Sequence, residues 1–373
     1  MAAGWQSRAA SRYKIAAACD VAPSWLALQA PPRPSIFESP PLVTPPAAIT
    51  KTTAADAPLA QNAAEREQHS VQADLVAVLV AVTGGQPRIL TTQAGETLPA
   101  GPFTANHRSL QASLRAWVET QTHHPLGFVE QLYTFADRDR SQELGMRAIS
   151  ISYLALTREL DDAGQAQPGW QDWYRYFPWE DWRSGAPAML GQRIAPALQA
   201  WSEQAADKAA ASARWERACV SFGLEGSDWN EELVLQRYEL LFEAGLVAEA
   251  WRDGMRAPQG QTLLGTAMRN DHRRILATGM ARLRAKIKYR PVVFELMADS
   301  FSLLQLQQAV EALAGRSLHK QNFRRLIEQQ ALVEDTGEIS SQGAGRPAKL
   351  FRFRRNVLVE RAVAGNKLPL ARG

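Results

Sequence analysis

Cysteine and long apolar runs are what this chain has least of. Its 373 residues hold two cysteines, Cys19 and Cys219, which argues against a disulfide framework and against a zinc site. Scarce cysteine is typical of a reducing compartment, so we expect a cytoplasmic protein. No run of about eighteen apolar residues occurs, and the sequence therefore predicts no membrane-spanning helix.

The composition otherwise fits a globular chain of several domains. Apolar residues make up 46% and charged residues 21% of the sequence, and the length predicts about two or three domains. The expected divisions are a disordered Ala- and Pro-rich tail at 1–70, a sheet-containing domain at 71–160, a mostly helical region at 161–270, a further domain at 271–360 and a tail at 361–373. An organelle transit peptide is the alternative for the first residues, which carry bases and no acid.

The segment 301–353 has the pattern of a winged helix-turn-helix. Ser300 or Ser302 can cap a first helix, and Gly315 ends it. The apolar stripe of that helix is Leu303, Leu306, Val310 and Leu313. A second helix from Ser317 to Gln330 has a separate apolar side, made of Leu318, Phe323, Leu326 and Ile327. A short strand, a glycine-rich basic loop and a strand at 350–353 then predict a hairpin wing.

A polar-faced second helix suits a DNA major groove, because its apolar side can stay on a core. The candidate DNA-binding residues lie on this helix and on the hairpin: His319, Lys320, Asn322, Arg324, Arg325, Arg346 and Lys349. Residues 271–373 hold 19 Lys and Arg against 9 Asp and Glu, although the whole chain has a net charge of only +4. Such concentration favours phosphate contacts, and a merely solvated basic surface is the alternative.

Residues 71–160 have the pattern of a mixed sheet. Asp74 to Val82 predicts a buried strand, with a hairpin partner at Arg88 to Leu90. Asn106 to Thr122 predicts a helix, and two more strands are expected at Phe128 to Phe135 and Ala148 to Leu156. A sheet with a helix after its second strand is α/β or α+β.

The middle region holds eight of the eleven tryptophans, including Trp170, Trp173, Trp179 and Trp182. Rings at this density are interpreted as core or interface, and stacking on an adenine is the alternative. Helices are expected at 201–223 and 230–253, and a connecting helix at 273–289. The connecting helix has one apolar stripe, which is expected to pack inside the winged helix, and its bases are expected to reach the DNA backbone.

This order of elements resembles the Nudix-related transcriptional regulators of NAD metabolism. The matching segments are Ala281 to Leu296, Phe301 to Gly315, Asn322 to Arg325 and Gly345 to Leu350. The long middle region is similar to the NadQ-type branch. The resemblance implies an α+β fold, with a Nudix-like α/β/α sandwich, a helical insertion and a winged helix. It also implies a repressor of NAD biosynthesis or salvage genes.

The Nudix box, G-x5-E-x7-R-E-U-x-E-E-x-G-U, tests whether hydrolysis is expected. Its acids hold Mg²⁺, which requires hard oxygen ligands. Aligned from Gly101, the four acid positions hold His107, Ala116, Glu119 and Thr120. One acid in four remains, so we expect no enzyme activity and no cofactor. Arg115 and Glu119, four residues apart, are interpreted as an intrahelical ion pair.

A Nudix-like domain without catalysis, joined to a DNA-binding domain, suggests a sensor. The resemblance implies an effector such as ADP-ribose, NAD or ATP, and Arg115, Glu119 and Arg147 are the candidate effector-binding residues. An exposed arginine at a strand end is the alternative for Arg147. The expected partners are a palindromic operator and a second copy of the chain, because such regulators read half-sites by their own symmetry. The rival functions are a nucleoside diphosphate hydrolase and a nucleic-acid-binding protein with a structural scaffold.

Overall fold

The computed structural model describes residues 71–103, 109–122, 128–136, 147–159, 169–251, 263–340 and 347–354. The predictions of a tail at 1–70 and of another at 361–373 lie outside these ranges. Within the described residues, no helix is both long and apolar enough to cross a membrane.

A mixed sheet occupies the N-terminal part of the described chain. Its strands are β1 (Val71–Thr83), β2 (Gln86–Leu90), β3 (Ala100–Pro102), β4 (Phe128–Phe135), β5 (Arg147–Leu156) and β6 (Trp170–Asp172). The order is β4-β5-β1-β2-β6, and β3 also pairs with β1. The β1–β5 pair is parallel and the other pairs are antiparallel. The strands predicted from the sequence are confirmed, whereas the three-residue strands β3 and β6 were not predicted.

The central strand β1 is buried on both faces, as its continuous apolar run predicts. Leu75, Leu79 and their alternate neighbours contact helix α1 (Leu110–Thr122). Val76, Val78 and Val80 face the second and larger core. Because side chains alternate along a strand, one apolar run supplies both layers. The expected α+β fold, with a sheet between helical layers, is confirmed.

The middle region is helical, with α2 (Ala195–Glu203), α3 (Lys208–Phe222) and α4 (Val234–Glu243). Helix α3 ends at Gly223, whose φ of 62° suits a residue without Cβ. Trp173 and Trp179 are fully buried and Trp170 nearly so. The interpretation of these tryptophans as core is confirmed, because they join the apolar layer between sheet and helices.

The connecting helix α5 (His272–Ile287) lies against the sheet. A Cβ on its Gly279 would come within 2.9 Å of Val78, so only glycine allows this approach. The bases of this helix were expected to reach the DNA backbone, and for three of them that expectation is wrong. Arg273, Arg284 and Lys286 are buried and pair with Glu249, Glu180 and Glu130. Buried charges require such partners, and these acids come from distant segments.

The C-terminal elements form a winged helix. They are α6 (Leu303–Ala314), α7 (Lys320–Gln329), β7 (Val333–Ser340) and β8 (Ala348–Phe353). Ser302 caps α6 in a capping box with Gln305, and Gly315 ends the helix at φ 71°. Strands β7 and β8 form a two-stranded antiparallel sheet. The expected helix-turn-helix and hairpin are therefore confirmed.

Candidate nucleic-acid interface

Helix α7 presents a polar face to solvent and anchors itself by two apolar residues. Phe323 is 8% and Ile327 is 7% exposed, so both belong to the core. Leu326 was also expected on the apolar side, but half of it is exposed. With Tyr289 and Val310 it borders a cavity of about 390 Å³ behind the helix. The expected apolar side is therefore narrower than the sequence suggested.

The polar face consists of the residues predicted to contact DNA from this helix. Lys320, Asn322, Arg324 and Arg325 are all exposed. Within the described part of the chain, no ion pair or side-chain hydrogen bond engages them. His319 is exposed at the N-cap and makes no capping hydrogen bond. Amide and guanidinium groups held in this way match the edges of adenine and guanine.

The wing differs, because its described bases are paired with acids of the same hairpin. Lys349 Nζ lies 3.1 Å from Asp335 Oδ2, and Arg352 Nε lies 2.5 Å from Glu334 Oε1. The Gly337 N–H and the Lys349 ammonium hold the pKa of Asp335 below its ordinary value. Arg346, also predicted to bind DNA, lies outside the described residues. Between α7 and the two strands of the wing, the described cations that lie outside any ion pair are therefore those of α7.

The turn between α6 and α7 is closed by side chains of α6 itself. Leu318 N–H donates to Glu311 Oε1 at 2.7 Å. The amide of Gln307 donates to Leu318 O and to Glu311 Oε1, both at 3.0 Å. These bonds fix the chain just before α7 begins, and they set the direction in which its polar face points.

The turn is also bonded to the middle region, which sequence reasoning missed. Tyr174 Oη donates to Ala312 O at 2.7 Å, and Arg284 Nε donates to Leu313 O at 3.0 Å. Trp182 N–H donates to Gly315 O at 2.7 Å. The last carbonyls of a helix lack partners within it, and here distant residues satisfy them.

Behind the turn, one buried carboxylate pairs with two buried arginines. Glu180 Oε1 lies 2.6 Å from Arg237 Nε, and Glu180 Oε2 lies 2.6 Å from Arg284 Nη1. All three side chains are fully buried. Although burial lowers the pKa of Arg284, the Glu180 carboxylate holds that pKa above its ordinary value. The cluster joins α4, α5 and the segment before α2.

The candidate effector-binding residues lie on the Nudix-like sheet and its helix. Arg115 is half-buried on α1, and Glu119 is exposed one turn later. Arg147 begins β5, opposite Val71 of β1, and its side chain lies outside the described residues. Their role in effector binding stays a prediction, and so does an Arg115–Glu119 ion pair.

Glu96 and Glu130, two acids outside the register of the Nudix box, are paired with cations in the described part of the chain. Glu96 Oε2 accepts from Arg269 Nε at 2.7 Å, and Glu130 pairs with Lys286. Both carboxylates are therefore paired with cations of other segments. Gly101, the first residue of the box, lies under the ring of Trp117, where a Cβ would be 2.2 Å from the ring. Packing of α1 on β3 accounts for this glycine without any catalytic role.

Comparison with known proteins finds a family model that matches the C-terminal domain. Residues 293–353 match the model of the NrtR DNA-binding winged helix domain. An ADPR responsive transcriptional repressor, NtrR of Acinetobacter baylyi, is 37% identical over 83 residues, which are 22% of this chain. The match spans 33% of that relative's length. The resemblance to Nudix-related regulators is confirmed, whereas the NadQ-type branch stays a prediction.

Solved structures of Shewanella oneidensis NrtR are also similar. The complex of that protein with a 27mer DNA gives a TM-score of 0.43 at 18% identity, over 77% of this chain and 95% of the other. Its Nudix domain bound to ADP ribose gives a TM-score of 0.23 at 19% identity, over 31% of this chain and 75% of that domain.

Proposed function

We propose that this chain is a DNA-binding transcriptional repressor, since residues 293–353 match the model of the NrtR DNA-binding winged helix domain. It reads a palindromic operator as a homodimer, and α7 enters the major groove. Its Nudix-like domain binds ADP-ribose or another NAD-related or adenine nucleotide without hydrolysing it. The regulated genes serve NAD biosynthesis or salvage. The 37% identical relative, whose name records a response to ADPR, supports this choice of effector.

The exposed polar face of α7 is the observation that carries the proposal. An exposed arginine can pair with an acid, as Arg217 pairs with Glu243 at 2.5 Å. On α7, Arg324 and Arg325 are exposed, and no ion pair within the described residues includes either of them. Fixed cations next to an amide, Asn322, suit recognition of base edges and phosphates together. We expect Asn322 and one of the two arginines to read bases.

The first test removes both arginines of α7. We expect Arg324→Ala with Arg325→Ala to weaken binding to a palindromic duplex, by about 1–3 kcal/mol for each base-reading arginine. The matched control is Arg193→Ala with Lys208→Ala, which removes the same charge from exposed positions of the middle region. Fluorescence anisotropy against a scrambled duplex measures both effects.

The outcome separates recognition from general electrostatics. A base-reading arginine, once lost, relaxes preference for the palindrome, whereas a lost phosphate contact weakens every duplex alike. If the arginine pair and the control pair weaken binding equally, α7 is not the recognition helix. Unchanged binding in both variants would mean that another surface of the chain binds the duplex.

We further expect no hydrolysis of ADP-ribose or other nucleoside diphosphates with Mg²⁺ or Mn²⁺. The residues Ala116 and Thr120 stand where the Nudix box has acids, and a divalent metal on a diphosphate requires carboxylate oxygens. Chromatography of the nucleotide after prolonged incubation is the measurement. Turnover that disappears in Glu119→Gln would restore the hydrolase as the function.

A further inference from the structure

A short segment of the middle region contacts the sheet through the side chain of Arg183. Its Nη1 donates to Gly85 O at 2.9 Å, and its Nη2 donates to Gln86 Oε1 at 2.9 Å. Gly85 lies in the turn of the β1–β2 hairpin, and Gln86 is the first residue of β2. Arg183 also binds both oxygens of Asp181, at 2.8 Å each. The guanidinium is thereby held on the end of the central strand.

Trp182 and Arg183 of this segment contact the helix-turn-helix through their backbone. Ser317 Oγ donates to Arg183 O at 2.6 Å, and Trp182 N–H donates to Gly315 O at 2.7 Å. Helix α7 begins at Lys320, three residues after Ser317. One residue, Arg183, thus holds the sheet by its side chain and the start of the recognition helix by its carbonyl oxygen.

Further contacts with Asp181 and Tyr174 restrain the position of Arg183. Although burial raises the pKa of Asp181, hydrogen bonds from Arg183 outweigh it and hold that pKa below the ordinary value. Arg183 also lies over the ring of Tyr174, 5.1 Å from its centroid. On the other side of the hairpin, a Cβ on Gly85 would lie 3.7 Å from Gln308 of α6. A displacement of the hairpin therefore disturbs its contacts with both α6 and the segment 181–183.

The sheet offers a direct path from the helix with the candidate effector residues to this hairpin. Helix α1 packs by Leu114 and Val118 on the face of β1 that includes Leu75 and Leu79. Strand β1 runs on without interruption to Thr83, where the turn with Gly85 begins. A ligand that moves α1 relative to β1 thus acts on the strand whose hairpin turn contacts Arg183.

We propose that the segment 181–183 is the coupling segment of this protein, with Arg183 as the positioning residue that transmits effector binding from the β1–β2 hairpin to the recognition helix. The proposal rests on the proposed function and adds the physical link between its two halves. Arg183 is not among the candidate operator or effector residues, and its guanidinium is engaged by Gly85, Gln86 and Asp181. Two sites are coupled only when both bias the same structural element.

The test compares Arg183→Ala with Arg175→Ala, a neighbouring arginine that bonds Gln171 and Thr266 and not the helix-turn-helix. The operator Kd is measured with and without ADP-ribose, and ADP-ribose binding is measured without DNA. We expect Arg183→Ala to keep the nucleotide affinity and the operator affinity without nucleotide, each within about threefold. Its ratio of operator Kd values with and without ADP-ribose falls towards 1, from about 5- to 150-fold for a typical coupling.

Ser317→Ala removes the other end of the link and is expected to lower the same ratio. Hydrogen exchange supplies a readout that needs no ligand, since the amides of 315–323 should exchange faster in Arg183→Ala than in Arg175→Ala. An unchanged Kd ratio in Arg183→Ala overturns the coupling role. Operator binding of the wild type that ignores ADP-ribose overturns the proposed function instead, and unchanged exchange at 315–323 then overturns the link itself.

Discussion

At the scale of the residue, Glu180 contributes more to the stability of the fold than its place in the sequence suggests. It is the shared partner of Arg237 and Arg284, all three fully buried. We expect Glu180→Gln to lower the free energy of unfolding by about 3–5 kcal/mol, because it leaves two buried guanidinium groups without their counter-charge. Urea denaturation followed by tryptophan fluorescence measures the loss.

The matched control is Glu243→Gln, which breaks an exposed pair. Glu243 lies 2.5 Å from Arg217, and about half of each side chain is exposed. Pairs of this kind contribute about 0–1 kcal/mol. Equal losses in the two variants would show that burial does not set the strength of the Glu180 cluster.

At the scale of the element, the turn of the helix-turn-helix depends on Gly315. Its φ is 71°, and a Cβ there would come within 2.5 Å of Glu180 O and 2.8 Å of Tyr174 Oη. Gly337 in the wing has a similar φ of 78° but nothing within 4 Å. We expect Gly337→Ala to cost about 1–2 kcal/mol from backbone strain alone. Gly315→Ala should lower the free energy of unfolding clearly more, because its Cβ would also collide with the middle region. Thermal unfolding of both variants measures the difference.

The elements of the winged helix could be predicted because their signals are local. Ser302 and Gly315 mark the ends of α6 within the sequence itself, and the structure has both caps. The partners that hold the turn are not local, since Glu180 and Arg284 are 104 residues apart and Tyr174 and Ala312 are 138 apart. Apolar period and capping residues say nothing about contacts over such separations.

The separation of partners along the sequence also explains why three bases of α5 were wrongly expected to reach DNA. Its bases have the spacing of a solvated face, and only the fold brings Glu249, Glu180 and Glu130 to them. The candidate DNA-binding residues of α7 could be proposed from the sequence, because the helical period alone assigns each residue to the polar or the apolar side of a helix. The coupling segment 181–183 could not be proposed from the sequence, because the sequence does not show that the β1–β2 hairpin turn lies against it.

At the scale of the whole molecule, one apolar core runs from the sheet to the winged helix. It includes Val78 of β1, Trp179 of the middle region and Phe323 of α7. Domains with separate cores unfold separately, whereas a shared core makes unfolding cooperative. We therefore expect one unfolding transition for the described part of the chain, although the sequence suggested three divisions within it.

Two probes test this, because the last tryptophan is Trp251 and none lies in the winged helix. Tryptophan fluorescence follows the sheet and middle region, and trypsin cleavage after Arg325 follows α7. In urea the two midpoints should coincide, and ADP-ribose at about 100 times its Kd should raise both by the same amount, equivalent to about 2.7 kcal/mol. Cleavage after Arg325 at a lower urea concentration than the fluorescence change would mean that the winged helix unfolds alone. Effector binding would then stabilise the sensor without reaching the recognition helix through the core.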